Sequence, residues 1–99
     1  MRFEFSSDDL ARMYSESEFF GGFAREVVRA YRKRVQFIAQ AVDERDFYAW
    51  KSLRYKKLKG DRADQRAMRL NDKWRLILKL RSEEDGSIVM ILSIEDYHD

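Results

Sequence analysis

The order of hydrophobic and polar positions predicts a short strand and a short helix at the start of the chain. Residues 2–5 alternate as Arg-Phe-Glu-Phe, which is the two-residue period of a strand. Ser6 and Asp9 have the spacing of a capping box, and acidic side chains in a first turn suit the helix dipole. The predicted helix has one apolar face, formed by Leu10, Met13 and Tyr14. Gly21 and Gly22 interrupt the chain after this helix.

A long helix is predicted over about residues 24–42, because apolar residues recur there at steps of three and four. Its apolar stripe consists of Val28, Tyr31, Val35, Ile38 and Val42. Five cations lie largely elsewhere on the helix surface, namely Arg25, Arg29, Arg32, Lys33 and Arg34. The polar residues 43–46 are expected to end the helix. An aromatic plug beneath the next loop is then expected from Phe47, Tyr48 and Trp50.

The second half of the chain has the pattern of a β-meander. Residues 51–59 fit either a loop or a short strand, and residues 60–62 form a predicted turn. Strands are predicted at residues 66–70, 74–80 and 88–94. Hairpin loops are predicted at residues 71–73 and 83–86. The last strand is apolar on both faces, which is typical of an interior strand covered at least in part on both sides.

The register of the first hairpin follows from which residues must share the core face. Leu70 and Trp74 are both even-numbered core positions, so a three-residue loop is predicted, with these two residues directly opposite each other. Arg69 is then opposite Arg75 on the other face of the sheet. Like charges directly across a ladder are destabilising, and a fold tolerates them more readily where an anion is bound between them.

Length and composition limit the class of protein. Ninety-nine residues fit a single domain, residues 1–99, and an apolar fraction of 44% supports a folded α+β chain. The absence of cysteine excludes disulfides and thiolate metal sites, and the single histidine, His98, excludes a histidine metal cluster within one chain. No stretch approaches transmembrane length, so we expect a soluble, cytoplasmic protein that does not bind membranes.

Cations are concentrated in residues 51–75. This stretch has ten basic and three acidic side chains, a net charge of +7, although the whole chain has a net charge of only +2. Lysines are mostly solvated in any protein, but this density favours nucleic-acid phosphate as a partner. Five of the ten cations are arginines, which suit bidentate phosphate contacts. The predicted phosphate-binding residues are Lys56, Lys57, Lys59, Arg62, Arg66, Arg69 and Lys73.

The C-terminal residues 95–99 are a second candidate for function. A chain end is often frayed, but this one directly follows the most apolar strand, so its first residues are expected to be held in place. It contains His98 beside Tyr97. Histidine changes protonation near neutral pH, as general acid–base catalysis requires, and tyrosine can stack on a base or donate a proton.

Three segments of this half resemble the HigB branch of the RelE/ParE toxin superfamily. They are Leu-Lys-Gly-Asp-Arg at 58–62, the hairpin from Gln65 to Leu76 with its Trp74-Arg75 pair, and Ile-Glu-Asp-Tyr-His at 94–98. The resemblance implies a RelE-like α+β fold. In this fold, an N-terminal strand and two helices pack on a twisted, mainly antiparallel four-stranded sheet.

The resemblance also implies an activity and its partners. HigB-like toxins of type II toxin–antitoxin systems are endoribonucleases that cut mRNA in the A site of the 70S ribosome. The 2′-hydroxyl of the RNA attacks the adjacent phosphorus, and neither a metal nor another cofactor is required. The implied partner is a HigA-like helix-turn-helix antitoxin, and operator DNA is bound only through that antitoxin.

The resemblance gives roles to four residues. Asp96, Tyr97 and His98 match the functional C-terminal triplet of the family, and Arg75 matches its hairpin arginine. His98 is the candidate acid or base with Asp96 as its orienter, Tyr97 positions the nucleotide, and Arg75 stabilises phosphate charge together with Arg69.

Two positions depart from the family pattern. Lys56 stands where several HigB proteins have a histidine, so a mechanism with two histidines is not available to this chain. Arg66 stands where many relatives have an aromatic residue. Two alternatives therefore stay open on the same fold: a ParE-like inhibitor of DNA gyrase, and a non-catalytic protein that binds RNA or the ribosome.

Overall fold

The computed structural model describes residues 1–97, and the predicted elements occur there in the predicted order, with a third helix and a fifth strand added between the second helix and the β-meander. The helices are α1 (Asp8–Ser15), α2 (Arg25–Gln40) and α3 (Glu44–Ala49). The strands are β1 (Arg2–Phe5), β2 (Lys56–Lys57), β3 (Gln65–Arg69), β4 (Arg75–Glu83) and β5 (Gly86–Glu95). Two single 3₁₀ turns, Lys51–Leu53 and Gly60–Arg62, flank β2. The predicted α+β class is confirmed.

The strands form one sheet in the order β1-β5-β4-β3-β2. β1 is parallel to β5, and the other three neighbouring pairs are antiparallel. The sheet thus has one strand more than the four expected, because Lys56 and Lys57 pair with Ala67 and Arg66. The sequence had left this segment open between a loop and a strand.

Helix α1 begins one residue later than the capping box predicts. Ser7, not Ser6, is the N-cap, and its side chain accepts a hydrogen bond from the backbone N–H of Leu10. The Ser6 hydroxyl instead donates to the carbonyl oxygen of Leu92 at 2.8 Å. The predicted capping box was therefore wrong by one position, since Ser6 is held by the end of β5.

Helix α2 buries most of the predicted stripe but ends earlier than expected. Val28, Tyr31, Val35 and Ile38 are fully buried, whereas Val42 is 82% exposed. The helix ends at Gln40 because Ala41 has an extended ψ of 147°. The residues expected only to end this helix begin α3, in which Asp43 is the N-cap. Placing Val42 in the core was wrong, because the chain has already left the helix at that residue.

The aromatic plug is only partly buried. Phe47 is fully buried, but Tyr48 and Trp50 are 51% and 42% exposed. Phe47 lies between the rings of Phe37 and Tyr55, at centroid distances of 5.9 and 5.2 Å. Of the three aromatic side chains expected here, one therefore fills the core and two reach the surface.

The sheet separates two hydrophobic clusters. The larger lies between the sheet and the helices, and contains Met68, Leu76, Leu78 and Ile91 from the strands. The smaller lies on the opposite side, which we call the outer face. It consists of Leu58, Ala67 and Ile77, with Leu92 and Tyr97 packed against them. β5 is thus an interior strand with apolar contacts on both faces, as its sequence predicts.

The predicted hairpin register is confirmed. Arg69 is opposite Arg75 and Met68 is opposite Leu76. The backbone N–H of Leu70 donates to the carbonyl oxygen of Trp74 at 3.0 Å, which closes the three-residue loop. Asn71 organises this loop, because its side-chain oxygen accepts hydrogen bonds from the backbone N–H groups of Lys73 and Trp74 at 2.9 and 2.7 Å.

The pairing of β4 with β5 contains an irregularity that the sequence did not predict. Ile77 is opposite Ser93 and Leu78 is opposite Ile91, so Leu92 is an extra residue in β5. A bulge of this kind changes which residues share a face beyond it. As a result, Ile94 is buried on the helix side and Glu95 is opposite Arg75.

None of the helices formed by residues 1–97 has both the length and the apolar character needed to cross a bilayer.

Candidate nucleic-acid interface

The outer face brings together part of the predicted cationic site at the loop end of the β3–β4 hairpin. Arg69, Arg75 and Glu95 lie in one row across β3, β4 and β5. Arg62 reaches this row from the 3₁₀ turn that follows β2. The chain leaves β5 next to this row and continues to Tyr97.

Arg75 lies at the centre of the row and is partly buried. Its Nη1 donates to the carbonyl oxygens of Asn71 and Trp74 at 2.6 and 3.2 Å. Within residues 1–97, its Nε and Nη2 have no hydrogen-bond partner. The loop therefore fixes one edge of this guanidinium, and the remaining N–H groups are available to an anion.

Arg69 forms an ion pair with Asp72 in the hairpin loop, and its side chain is 29% exposed. The carboxylate of Asp72 therefore neutralises part of the charge of one of the two arginines that face each other across the ladder. This contact offsets part of the repulsion between Arg69 and Arg75 without any bound anion. The opposed arginines alone are consequently weaker support for a phosphate site than the sequence suggests.

Arg62 and Glu95 form a bidentate ion pair across the outer face. The two contacts are Nη1 to Oε1 at 3.0 Å and Nη2 to Oε2 at 2.9 Å. Gln65 accepts a hydrogen bond from Arg62 Nε at 2.9 Å, and the Ser93 hydroxyl donates to Glu95 at 2.6 Å. The hydrogen bonds from Arg62 hold the pKa of Glu95 below its ordinary value, and Glu95 raises the pKa of Arg62. Both groups are thus charged at neutral pH.

Tyr97 packs against the outer hydrophobic cluster and beside two cations. The Arg62 guanidinium carbon is 5.5 Å from the centre of its ring, and Lys56 Nζ is 5.8 Å from it. These distances are typical of cation–π contacts. The aromatic ring is therefore held at the entrance to the terminal segment, as expected for a chain end that follows a buried strand.

The other predicted phosphate ligands do not all lie on this face. Arg66 is on the helix side, where its Nε is 3.3 Å from Glu44 and its side chain is only 16% exposed. Lys57 is opposite Arg66 in the ladder, so it shares that side. Lys59 is exposed before the 3₁₀ turn, and Lys73 is exposed in the hairpin loop with its Nζ 5.2 Å from the Trp74 ring. The structure groups Arg62, Arg69, Arg75 and Lys56, and it separates Arg66 and Lys57 from them.

The terminal triplet is only partly within the described residues. Asp96 is exposed and Tyr97 is partly buried. His98, the candidate acid or base, lies outside the described residues.

Glu95 is the member of this site that the sequence analysis did not single out. A regular ladder through Leu78 and Ile91 would place Ile94, not Glu95, opposite Arg75. Only the bulge at Leu92 brings the carboxylate into the row of arginines. The sequence Ser-Ile-Glu at 93–95 alternates polar and apolar residues, which indicates that Ser93 and Glu95 share one face of the strand. Without knowledge of the bulge, that face cannot be identified as the one that carries Arg75.

A concavity of about 510 Å³ lies at the other end of the sheet, near the β4–β5 turn. It is lined by Met1, Arg2, Val42, Leu80 and Asp85, among others, and by none of the predicted site residues. The arrangement at the hairpin end is instead an open surface, on which arginine forks and an aromatic ring can contact a phosphate chain and a base.

Comparison with solved structures shows which proteins share this fold. A YoeB/ParE toxin from Agrobacterium tumefaciens is similar over 99% of this chain and 100% of its own, with a TM-score of 0.60 and 13% identity. A YoeB-YefM complex from Staphylococcus aureus is similar over 100% of this chain and 98% of the matched chain, with a TM-score of 0.58 and 16% identity. No protein-family model and no curated protein matches the sequence. The chain therefore has the fold of these toxins.

Proposed function

We propose that this protein is the toxin of a type II toxin–antitoxin system and acts as a ribosome-dependent mRNA endonuclease of the HigB-like type. The observation that carries the proposal is the row formed by Arg69, Arg75 and Glu95, with Arg62 and Tyr97 beside it, on the outer face of a toxin fold. This row adjoins the segment that contains the Asp-Tyr-His triplet. Cations and an aromatic ring thus belong to one end of one sheet, and His98 follows Tyr97 directly in the sequence.

In-line cleavage of RNA needs a base for the 2′-hydroxyl, positive charge for the phosphorane and an acid for the leaving 5′-oxygen. Arg75 is best suited to the phosphorane, because its Nε and Nη2 have no protein acceptor within residues 1–97 and the loop fixes its orientation. We assign contact with a base to Tyr97. We assign the proton transfer to His98 with Asp96 as its orienter, and phosphate contacts to Arg69 and Lys56.

The other proposed ligands have smaller roles. Lys59 and Lys73 are exposed and can add phosphate contacts at the edge of the site, whereas Arg66 and Lys57 reach RNA only if it extends round the β2 edge. The proposed partner is an antitoxin, in keeping with the YoeB-YefM complex among the structures of this fold. We propose a HigA-like antitoxin that carries the operator-binding function.

The test is an in vitro translation reaction with purified chain, 70S ribosomes and mRNA, in which the 5′ ends of the mRNA are mapped. We expect cleavages in phase with codons. Arg75→Ala should lower the cleavage rate by about 100-fold, as does the loss of one preorganised donor to a transition-state charge. His98→Ala should abolish cleavage, because it removes the proposed acid or base. Both variants should unfold at nearly the temperature of the unaltered chain.

Arg45→Ala is the matched control, because Arg45 is 89% exposed and its ion pair within residues 1–97 is with the nearby Asp43. It should cleave at the original rate. Full cleavage by both the Arg75 and His98 variants would refute the assignment of the site. If the unaltered chain leaves mRNA intact but inhibits DNA gyrase at stoichiometric concentration, the protein is ParE-like. Ribosome binding without any cut would identify a non-catalytic protein.

A further inference from the structure

Helix α2 has a second concentration of positive charge, away from the outer face. The helix has five cations and one carboxylate, Glu26. Four of these cations line a concave surface of about 320 Å³ together with Ser17, Phe20 and Gln36. We call this surface the α2 basic face, and its cations are Arg25, Arg29, Arg32 and Lys33. No carboxylate is among the described residues that line it.

One of the four cations is fixed by the backbone. Arg32 donates from Nε to the carbonyl oxygen of Met13 at 2.7 Å, and from Nη2 to that of Glu16 at 2.9 Å. It thereby satisfies carbonyl groups at the end of α1. Its guanidinium carbon is 5.5 Å from the Phe20 ring, and that of Arg25 is 5.2 Å from the same ring. The floor of the α2 basic face is thus ordered, and its aromatic ring lies against two guanidinium groups.

The remaining cations of this face differ from most other exposed arginines within residues 1–97, of which Arg54 alone likewise lacks an ion pair. Arg2, Arg12, Arg45 and Arg81 are exposed or nearly so, and each forms an ion pair with a carboxylate. By contrast, no ion pair within residues 1–97 involves the three exposed cations of the α2 basic face, Arg25, Arg29 and Lys33. The charge of this face is therefore not neutralised by the part of the chain that the structure describes.

We propose that the α2 basic face binds the sugar-phosphate backbone of RNA as a second surface, separate from the outer face. Arg25, Arg29 and Lys33 follow one another at steps of four residues, which places positive charges about 6 Å apart along the helix axis. Arginine forks match phosphate oxygens, and a row of charges matches a polyanion.

The chemistry of the face favours a phosphate backbone over a protein segment. A protein partner usually buries an apolar centre surrounded by a polar rim. The apolar group available here is Phe20, and the guanidinium groups of Arg25 and Arg32 lie beside its ring. The choice of RNA among polyanions rests on the proposed function, which already places an RNA strand on this protein.

The two cationic surfaces are connected around the end of the hairpin. The Phe23 ring, just before α2, is 5.3 Å from the Trp74 ring in an edge-to-face contact. Lys73 Nζ lies 5.2 Å from the centre of the Trp74 ring. The start of α2 is therefore next to the loop that leads to Arg69 and Arg75. An RNA strand that passes this loop can contact both surfaces.

The test measures direct binding of a fluorescent 20-nucleotide single-stranded RNA to the full chain by anisotropy, at several KCl concentrations. The triple variant Arg25→Gln/Arg29→Gln/Lys33→Gln removes the three exposed cations of the α2 basic face. The control variant Arg2→Gln/Arg45→Gln/Arg81→Gln removes the same charge from arginines that have carboxylate partners. Thermal unfolding is compared for both, so that a loss of folding is recognised.

Each phosphate of a single strand that a cation neutralises contributes about 0.7 to the magnitude of the slope of log K against log salt concentration. The α2 variant should therefore lower the magnitude of the slope by about 2, and the control variant should leave it unchanged. Equal slopes for the two folded variants would overturn the proposal. The proposal would also be overturned if a polyglutamate peptide displaced the RNA and bound less tightly to the α2 variant than to the unaltered chain. The α2 basic face would then bind an acidic protein.

The difference in salt slope between the two variants does not depend on whether the protein cleaves mRNA. If the endonuclease proposal fails, the unaltered chain leaves mRNA intact on ribosomes, and the salt slopes of the two variants still differ. If the α2 proposal fails, cleavage of mRNA persists and the slopes are the same.

Discussion

The ion pair between Arg62 and Glu95 gives a quantitative test of how the outer face is held together. Arg62→Met and Glu95→Gln each remove one charge, and the double variant removes both. A double-mutant cycle built from these chains isolates the coupling free energy of the pair. The chain should unfold in a single cooperative step, as most domains of this size do.

The exposure of the two side chains sets the expected magnitude. They are 33% and 35% exposed, and the contacts are two parallel N–H to O bonds at 3.0 and 2.9 Å. Fully exposed pairs contribute about 0.2–1 kcal/mol. Removing one partner of a fully buried pair costs about 3–5 kcal/mol. For this partly buried, bidentate pair we expect a coupling of about 1.5 kcal/mol. Loss of that free energy would lower the Tm by about 8 °C.

The coupling should also depend on pH in a defined direction. The hydrogen bonds from Arg62 hold the pKa of Glu95 below its ordinary value of 4.5. A carboxylate with a depressed pKa contributes stability that is complete above the pKa of the unfolded chain. This stability is lost as the pH falls through the pKa of the folded chain. The coupling should thus be constant near neutral pH and decrease at pH values below 4.5.

Urea unfolding of the four chains at pH 7 and at pH 3 measures these quantities. The control is the same cycle on Arg2 and Asp85, whose single contact of 2.6 Å joins side chains that are 56% and 76% exposed. Its coupling should not exceed about 0.5 kcal/mol. A coupling for Arg62 and Glu95 that is no larger than the control, or that persists unchanged at pH 3, would refute the reasoning.

Two further changes test the core and the end of α2, both by denaturant unfolding. Tyr31→Phe should cost about 1–2 kcal/mol, because the buried hydroxyl donates to the carbonyl oxygen of Leu10 at 2.7 Å and this acceptor would lose its partner. Val35→Ala should cost about 2 kcal/mol, whereas Val42→Ala should change stability by less than about 0.5 kcal/mol, since Val35 is fully buried and Val42 is 82% exposed. Equal costs at the two valines would contradict the observed end of the helix.

The features that local patterns specify were predictable from the sequence. The three-residue hairpin loop followed from the parity of Leu70 and Trp74, because a shift by one residue would expose a whole core face. The stripe of α2 followed from its period. These predictions depend on side chains close together in the chain, whose periodicity and spacing are visible without the fold.

The features that depend on distant residues were not predictable. Arg66 alternates with Ala67 and so shares the helix side with Met68, and there it forms an ion pair with Glu44, which precedes it by 22 positions. Val42 continues the helical period, but its N–H donates to Asp46 at the start of the next helix. In both cases the decisive partner lies in another element, which the local pattern does not reveal.

The bulge in β5 changes how the cations of the outer face are understood. It places Glu95 among the arginines. Glu95 and Gln65 together accept hydrogen bonds from three of the five N–H groups of Arg62. Arg62 is therefore better suited to holding Tyr97 and the start of the terminal segment than to binding phosphate alone. Arg75 keeps Nε and Nη2 without a protein acceptor within residues 1–97, although it is opposite the same carboxylate. Of the cations concentrated in residues 51–75, Arg75 is consequently the one whose loss should affect chemistry most.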